Sequence, residues 1–372
     1  MTLSSHRHAA VSTVIPTYNR ADCICRAVRS ALEESLPGDQ VIVVDDGSTD
    51  GTDAVLRPWL SRITYVRVEH AGVGSARNRG IAVAANPLVA FLDSDDWWIP
   101  GKLPIQRALL SARPDVLFCF SDHAAARSST DVRHRIASRN AGLPRDKRSI
   151  LGAPIPYSTM AQLPAGWDDF DVYVGDMYKA LMERQMVSSI TALVCRAGAG
   201  TALKFAEDVA WAEDWECFGR LAGKGLAAYL DCETAVADAQ AGRPRLSDPK
   251  ITTMATSRIA VLGRVWGSDP TFMAAHRGEY ETVLARALLL RVRGLIKDGR
   301  PRQARAELKQ IRAIDMARRI FALGLSFAPG SLVPGIESLA RKVMAGKTIL
   351  TEEAQRLHFP WSRPIGGREA SK

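Results

Sequence analysis

The sequence has little that would carry it out of a cell or across a membrane. Its opening residues, MTLSSHRHAA, hold no apolar stretch of the kind a secretory signal needs. The expectation is a cytoplasmic protein with a disordered tail over residues 1–10. The uncharged run from Ile320 to Ile336 covers seventeen residues, but Pro329, Pro334 and three glycines within it disfavour a spanning helix. The six cysteines (Cys23, Cys25, Cys119, Cys195, Cys217 and Cys232) are scattered without metal-ligand spacing. That excludes a zinc site built on paired thiolates and fits reduced thiols. No Gly-x-Gly-x-x-Gly follows the first strand-like run, and no Gly-x-x-x-x-Gly-Lys-Ser/Thr loop occurs. Phosphates bound here must be held by a metal and cationic side chains rather than by a glycine cradle.

What the chain does have is alternation. VSTVI (11–15), QVIVVD (40–45), TYVRV (64–68), LVAFLD (88–93) and VLFCF (116–120) are short runs rich in β-branched or aromatic residues. Several are apolar at consecutive positions, which predicts strands buried on both faces. Between the first two, Ile24, Ala27, Val28, Ala31 and Leu32 follow helical spacing until Leu36-Pro37-Gly38 stops the helix. Further helices are expected near 52–60, 75–85 and 101–112. The order predicts an α/β fold with an open, mostly parallel, doubly wound sheet.

Residues 124–175 break this rhythm with polar, Pro- and Gly-punctuated sequence, and are read as an insertion or lid. Regular structure is expected to resume with a helix near 174–185, a strand at 190–194, a helix near 212–223 and a strand at 226–230. Residues 246–350 read as an all-helical C-terminal region, with a helix break at Asp298-Gly299-Arg300-Pro301, and 351–372 as a tail. The net charge of +9 is concentrated between Arg286 and Arg319, where eleven Lys and Arg stand against three acids. An anionic membrane surface is the preferred partner for that stretch. Nucleic acid is not expected, because neither interleaved aromatics nor a reading motif accompanies the charge.

In open α/β sheets, ligands sit outside the carboxyl ends of the strands. Here the first strand ends in Pro16-Thr17-Tyr18-Asn19-Arg20 and the second in Asp45-Asp46-Gly47-Ser48-Thr49-Asp50. The fourth ends in Asp93-Ser94-Asp95-Asp96. Asp50 reads as a helix cap. The other five carboxylates crowd one edge, at a cost that a divalent cation on a phosphorylated ligand would relieve. Arg77, opening a helix aimed at the same edge, is a candidate phosphate cation.

The ordered set VIPTYNR, VVDDGSTDGT, GVGSARNRGI, FLDSDDWWIP and AEDWE resembles glycosyltransferase family 2 over roughly residues 11–245. The resemblance implies the GT-A type nucleotide-diphospho-sugar transferase fold, with a helical C-terminal extension, and an inverting, hexosyltransferase-type enzyme dependent on Mn²⁺ or Mg²⁺. Pro16, Thr17, Tyr18, Asn19, Asp45, Asp46, Arg77 and Asp95 would bind the nucleotide-sugar donor, a UDP-sugar being favoured. Asp95 and Asp96 would ligate the metal, with Asp93 and Glu213 as supporting acids. Asp214 would be the catalytic base, with Glu207-Asp208 as a rival pair. Arg243 and Arg245 fall where the family often carries an Arg-x-His loop over the diphosphate, with Arg in place of His. The Gln-x-x-Arg-Trp motif of processive synthases is absent, which points to a non-processive enzyme acting on a glycan or lipid-linked acceptor. Such an enzyme would serve cell-envelope polysaccharide biosynthesis, peripheral on the inner face of the membrane. Two other readings compete: a non-catalytic nucleotide-sugar or glycan-binding subunit of a membrane-associated assembly complex, and a sugar-phosphate nucleotidylyltransferase.

Overall fold

The computed structural model describes residues 9–128, 130–136, 147–184, 186–187, 189–239 and 250–311. The expectations for Arg243, Arg245, the run 320–336 and both terminal tails fall largely or wholly outside these residues. β1 (Val11–Thr17), β2 (Gln40–Asp45), β3 (Thr64–Arg67) and β4 (Leu88–Phe91) pair in parallel in the order β3-β2-β1-β4. Every residue of β1 is buried, because α1 (Ile24–Glu34) and α3 (Val73–Val83) pack on opposite faces of this half of the sheet. α1 buries the predicted stripe Ile24, Ala27, Val28, Ala31 and Leu32. α3 lies so close to β1 that a Cβ on Gly80 would meet Val14 Cγ1 at 2.3 Å, so only glycine fits there. α2 (Thr52–Leu56) is shorter than expected and gives way to a 3-10 turn at Arg57–Trp59.

Beyond β4 the sheet becomes mixed. β5 (Trp97–Trp98) and α4 (Lys102–Ala112) precede β6 (Val116–Ala126) and β7 (Val132–Arg133). α5 (Arg148–Leu151), β8 (Ile155–Pro156) and β9 (Asp171–Gly175) follow. Then come α6 (Tyr178–Arg184), β10 (Leu193–Arg196), α7 (Glu213–Ala222) and β11 (Leu226–Asp238). Among the described residues the sheet has eleven strands, nine along the path β3-β2-β1-β4-β10-β6-β11-β9-β8, with β5 paired to β11 and β7 to β6 off that path. β10 lies antiparallel between β4 and β6, whereas β6 and β11 are parallel.

Three departures from the sequence reading have local causes. β6 continues past Phe120 because its polar residues find partners: Ser121 Oγ lies 2.6 Å from Thr234 Oγ1, and the buried Asp122 pairs with Arg135 at 3.5 Å. Residues 171–175, read as the end of the insertion with a helix starting near 174, instead form a strand antiparallel to β11, so the helix begins at Tyr178. The run at 190–194 starts as a 3-10 turn, Ile190–Ala192, in which the Ser189 hydroxyl accepts the Thr191 N–H. The stretch read as an insertion thus supplies β8 and β9, and Tyr157 and Val172 within it are fully buried.

The C-terminal elements are α8 (Ile251–Leu262), a π-helical turn (Gly263–Gly267), α9 (Pro270–Lys297) and α10 (Pro301–Gln310). The break between the last two falls at the predicted turn, with Gly299 at φ 71° and Pro301 in the first turn of α10. Leu295 and Ile296 of α9 pack with Ala304 and Leu308 of α10. None of the described helices is long and apolar enough to cross a membrane.

Candidate active site

The loops that follow β1 and β2 are stitched together by polar side chains. Asn19 N–H donates to Ser48 Oγ at 3.0 Å, and Thr49 N–H donates to Asn19 Oδ1 at 2.8 Å. Asn19 has φ 51°, a left-handed conformation that asparagine tolerates better than most residues. Asp50, read as a helix cap, accepts the N–H of Thr52, the first residue of α2, at 3.1 Å, and it also bridges the loops by accepting from Ala21 N–H at 3.0 Å and from the Thr52 hydroxyl at 2.6 Å.

Both aspartates at the end of β2 are buried and engaged with the protein. Asp45 accepts from Tyr65 O–H at 2.5 Å and Ser48 N–H at 2.8 Å. Asp46 accepts from Ala71 N–H at 2.8 Å and Gly72 N–H at 2.9 Å, and lies 2.9 Å from His70 Nδ1. Asp46 therefore fixes the loop that leads into α3. That loop brings the His70 ring onto Tyr18, with centroids 4.1 Å apart and planes at 23°. Tyr18 is 41% exposed, so one ring face remains open beside this stack. Pro16 lies within β1, and the buried hydroxyl of Thr17 has no partner among the described residues.

After β4 the chain turns through Asp93, Ser94, Asp95 and Asp96. Asp96 is buried, with one oxygen accepting from Thr191 O–H at 2.8 Å and the other from Asp238 N–H at 3.0 Å. Burial, followed by the charges of Asp93 and Asp95, pushes its pKa well above the carboxylate range. Asp95 keeps 29% of its side chain exposed, 3.9 Å from Arg20. Arg26 supports the loop from α1: it donates to Asp95 O and Asp238 Oδ2, each at 2.7 Å, and covers the Trp97 ring at 3.9 Å.

Arg77 joins this acidic loop to α7. Its buried guanidinium donates to Asp93 Oδ1 at 2.9 Å and to Glu213 Oε1 at 2.6 Å, and faces Phe205 at 5.2 Å. Asp214 is the next residue of α7. Loss of solvent around it, then the charge of Glu213, push its pKa up to about 7, while Arg77 pulls the other way. α7 is held in place by Trp215, whose Nε1–H donates to Leu181 O at 2.8 Å and whose ring packs 5.1 Å from Trp266. Of the rival acids, Glu207 accepts from Asn78 Nδ2–H at 2.7 Å, and Asp208 is exposed and paired bidentately with Arg264.

The donor set at this edge consists of carboxylate oxygens, which suits a hard divalent cation. Among the described residues no three His, Cys, Asp or Glu side chains are arranged to hold a metal ion by themselves. Such an ion would need oxygens from a bound ligand as well.

Residues 12–168 match the family described as Glycosyl transferase family 2. Over those residues, less than half of its length, the chain is similar to glycosyltransferase family 2. Among the proteins it resembles, the succinoglycan biosynthesis protein ExoU of Rhizobium meliloti is 43% identical over 97 residues, covering 25% of this chain and 28% of that protein. The putative teichuronic acid biosynthesis glycosyltransferase TuaG of Bacillus subtilis is 41% identical over 107 residues, covering 28% and 42%. The UDP-Glc:alpha-D-GlcNAc-diphosphoundecaprenol beta-1,3-glucosyltransferase WfaP of Escherichia coli is 35% identical over 115 residues, covering 30% and 45%. The chain spans less than half the length of each of these three. The structure of S. aureus TarS 1-349 in complex with UDP-GlcNAc aligns with a TM-score of 0.59 at 16% identity, over 90% of this chain and 92% of that one. That likeness shows the GT-A fold with its helical C-terminal region.

Asp214 lies beyond the stretch matched to the family, yet Arg77 ties it to residues within that stretch. Three residues of this candidate site escaped the sequence reading. His70 carried only the signal of a polar residue shortly after a strand. Arg26 sits among the apolar positions of α1, and Thr191 lies inside an apolar run.

Proposed function

We propose that this chain is a metal-dependent, inverting, non-processive glycosyltransferase that moves a sugar from a nucleoside diphosphate to a hydroxyl of a lipid-linked glycan. The observation that carries the reading is the position of Asp214. Its carboxylate is tuned to about 7 and tied through Glu213 and Arg77 to the acidic loop after β4. A general base works best when its pKa lies near the operating pH. Asp214 would accept the proton of the attacking acceptor hydroxyl. A single base and a single displacement give inversion at the anomeric carbon.

The donor nucleotide would lie across the ends of β1, β2 and β4. Tyr18, stacked on His70, offers its open face to the base, and Thr17 has a free buried hydroxyl beneath. Asp45 and Asp46 would act chiefly by shaping the pocket, since their oxygens already accept donors from the chain. Asp95 has the exposed carboxylate a metal needs, and Asp96 would stand behind it, already bonded to Thr191 and Asp238. Bound there, Mn²⁺ or Mg²⁺ would stabilise charge on the departing diphosphate. The protein's own part is to position that loop through Arg26 and Thr191 and to exclude water beneath it.

The undecaprenol-diphosphate substrate in the WfaP name supports a lipid-linked acceptor and UDP-glucose as a first donor to test. A panel of nucleotide sugars screened by thermal shift with Mn²⁺ tests the reading. A donor should raise the melting temperature in a concentration-dependent way. No shift with any nucleotide sugar, with or without metal, would contradict it.

A further inference from the structure

The chain that leads into α7 is docked along one face of α3. Gly74, Arg77 and Asn78 are spaced so that they share that face, and segment 202–207 lies against it. Asn78 grips the segment's backbone in both directions. Its Nδ2–H donates to Phe205 O at 2.9 Å, and Phe205 N–H donates to Asn78 Oδ1 at 2.8 Å. Asn78 Nδ2 also donates to Glu207 Oε1 at 2.7 Å. At Gly74 the approach is closest, since a Cβ there would meet Ala206 O at 2.7 Å.

α7 holds the same segment from its other side. Arg220 donates to Ala202 O at 3.1 Å and to Lys204 O, and the buried Phe205 ring packs 6.2 Å from Phe218. Segment 202–207 is therefore a spacer clamped between two helices. The chain then enters α7 through Ala212, which is buried and has φ 67°. A residue with a Cβ keeps that left-handed conformation only where its surroundings impose it. The next two residues are Glu213 and Asp214.

Arg77 fixes α7 at one point, Glu213, and a single point leaves a helix free to pivot. The spacer supplies a second. We infer that Asn78 is a positioning residue for Asp214: through segment 202–207 it sets where the first turn of α7 stands against α3, and so aims the base at the donor edge. The inference rests on the glycosyltransferase reading and adds to it the device that orients the base. A displacement of about 1 Å at a reacting group can cost about a hundredfold in rate, so a small shift of the spacer is enough to matter.

Two variants disturb the docking by different means. Asn78→Asp keeps the shape and the bond from Phe205 N–H, removes both donated bonds and sets a carboxylate against Glu207. Gly74→Ala pushes Ala206 away from α3 and leaves Asn78 intact. With UDP-glucose, a short-chain GlcNAc-diphospholipid and Mn²⁺, each should lower kcat about thirtyfold. UDP affinity, measured by isothermal titration, should stay at the wild-type value. Adding Glu207→Gln to Asn78→Asp returns a donor opposite the new carboxylate and should recover about fivefold of the lost kcat. Hydrogen exchange reads the docking without turnover: amides 216–219 of α7 should exchange about tenfold faster in both single variants. Wild-type kcat in either folded variant, UDP affinity that falls in step with kcat, or unchanged exchange in α7 would overturn the inference. Failure of the wild-type protein to bind or consume any nucleotide sugar would overturn the glycosyltransferase reading instead, and the exchange measurement would still decide the docking.

Discussion

The Arg77 guanidinium donates to Glu213 Oε1 at 2.6 Å across 136 residues of sequence. Its other arm holds Asp93 at 2.9 Å, so one buried cation fastens the acidic loop after β4 to the first turn of α7. The helix carrying Asp214 cannot shift without disturbing that loop. Arg77→Ala should lower unfolding free energy by about 3 kcal/mol, because it leaves carboxylates without their partner. It should also move the rising limb of the pH–rate profile to higher pH, since Arg77 holds the Asp214 pKa down. Arg77→Lys should recover part of both. Chemical denaturation and kcat/KM against pH measure them, and an unmoved pH limb would refute the coupling.

Tyr18 is expected to act through its exposed face alone. Tyr18→Ala should weaken UDP binding about tenfold, as loss of one base-stacking contact does. Its melting temperature should stay close to wild type, because an exposed residue contributes little to stability. Isothermal titration with UDP and Mn²⁺ checks this, and equal affinity would move the base elsewhere.

Lys102 is a fully buried lysine whose Nζ lies 4.8 Å from the Trp98 ring and donates to Gln106. Burial pushes its pKa down to about 7 from 10.5. Between those values the unfolded chain binds more protons than the folded one, so this group makes stability rise with pH across that window. Lys102→Met should raise the melting temperature at pH 7 and flatten the slope. Differential scanning calorimetry from pH 6.5 to 9 reads both.

Much of this fold was legible from periodicity. β1, β2, β4 and α1 carry patterns that physics allows in few other settings, and the acids at their ends marked the edge that carries the candidate site. The roles within that edge were harder to read. Asp45 and Asp46 look like ligand carboxylates in sequence, yet their oxygens accept donors from Tyr65, Ser48, Ala71 and Gly72. Thr191 lies 95 positions from Asp96, and no local pattern announces a hydrogen bond across that separation. The antiparallel insertion of β10 was equally silent, because strand direction is set by pairing rather than by composition.

The basic surface yields a separate expectation. Lys297, Arg300, Arg302 and Lys309 are exposed on α9, α10 and the turn between them. The protein should float with liposomes containing phosphatidylglycerol and remain behind with phosphatidylcholine alone. Salt should release it, and Lys297→Glu with Arg302→Glu should weaken it. Equal flotation with both lipids would argue against electrostatic docking.

The central claim is that Asp214 takes the acceptor proton, and its measurement is sugar transfer by the wild-type protein and Asp214→Asn across pH 5 to 9. With a pKa of about 7, wild-type kcat/KM should rise with pH through that value as Asp214 becomes the free base. The same raised pKa makes this group's contribution to stability fall between its ordinary value of 3.8 and about 7, a dependence Asp214→Asn should lack. Asp214→Asn should bind UDP normally yet transfer about a thousandfold more slowly, with no rising limb. Wild-type turnover by a correctly folded Asp214→Asn protein would contradict the account.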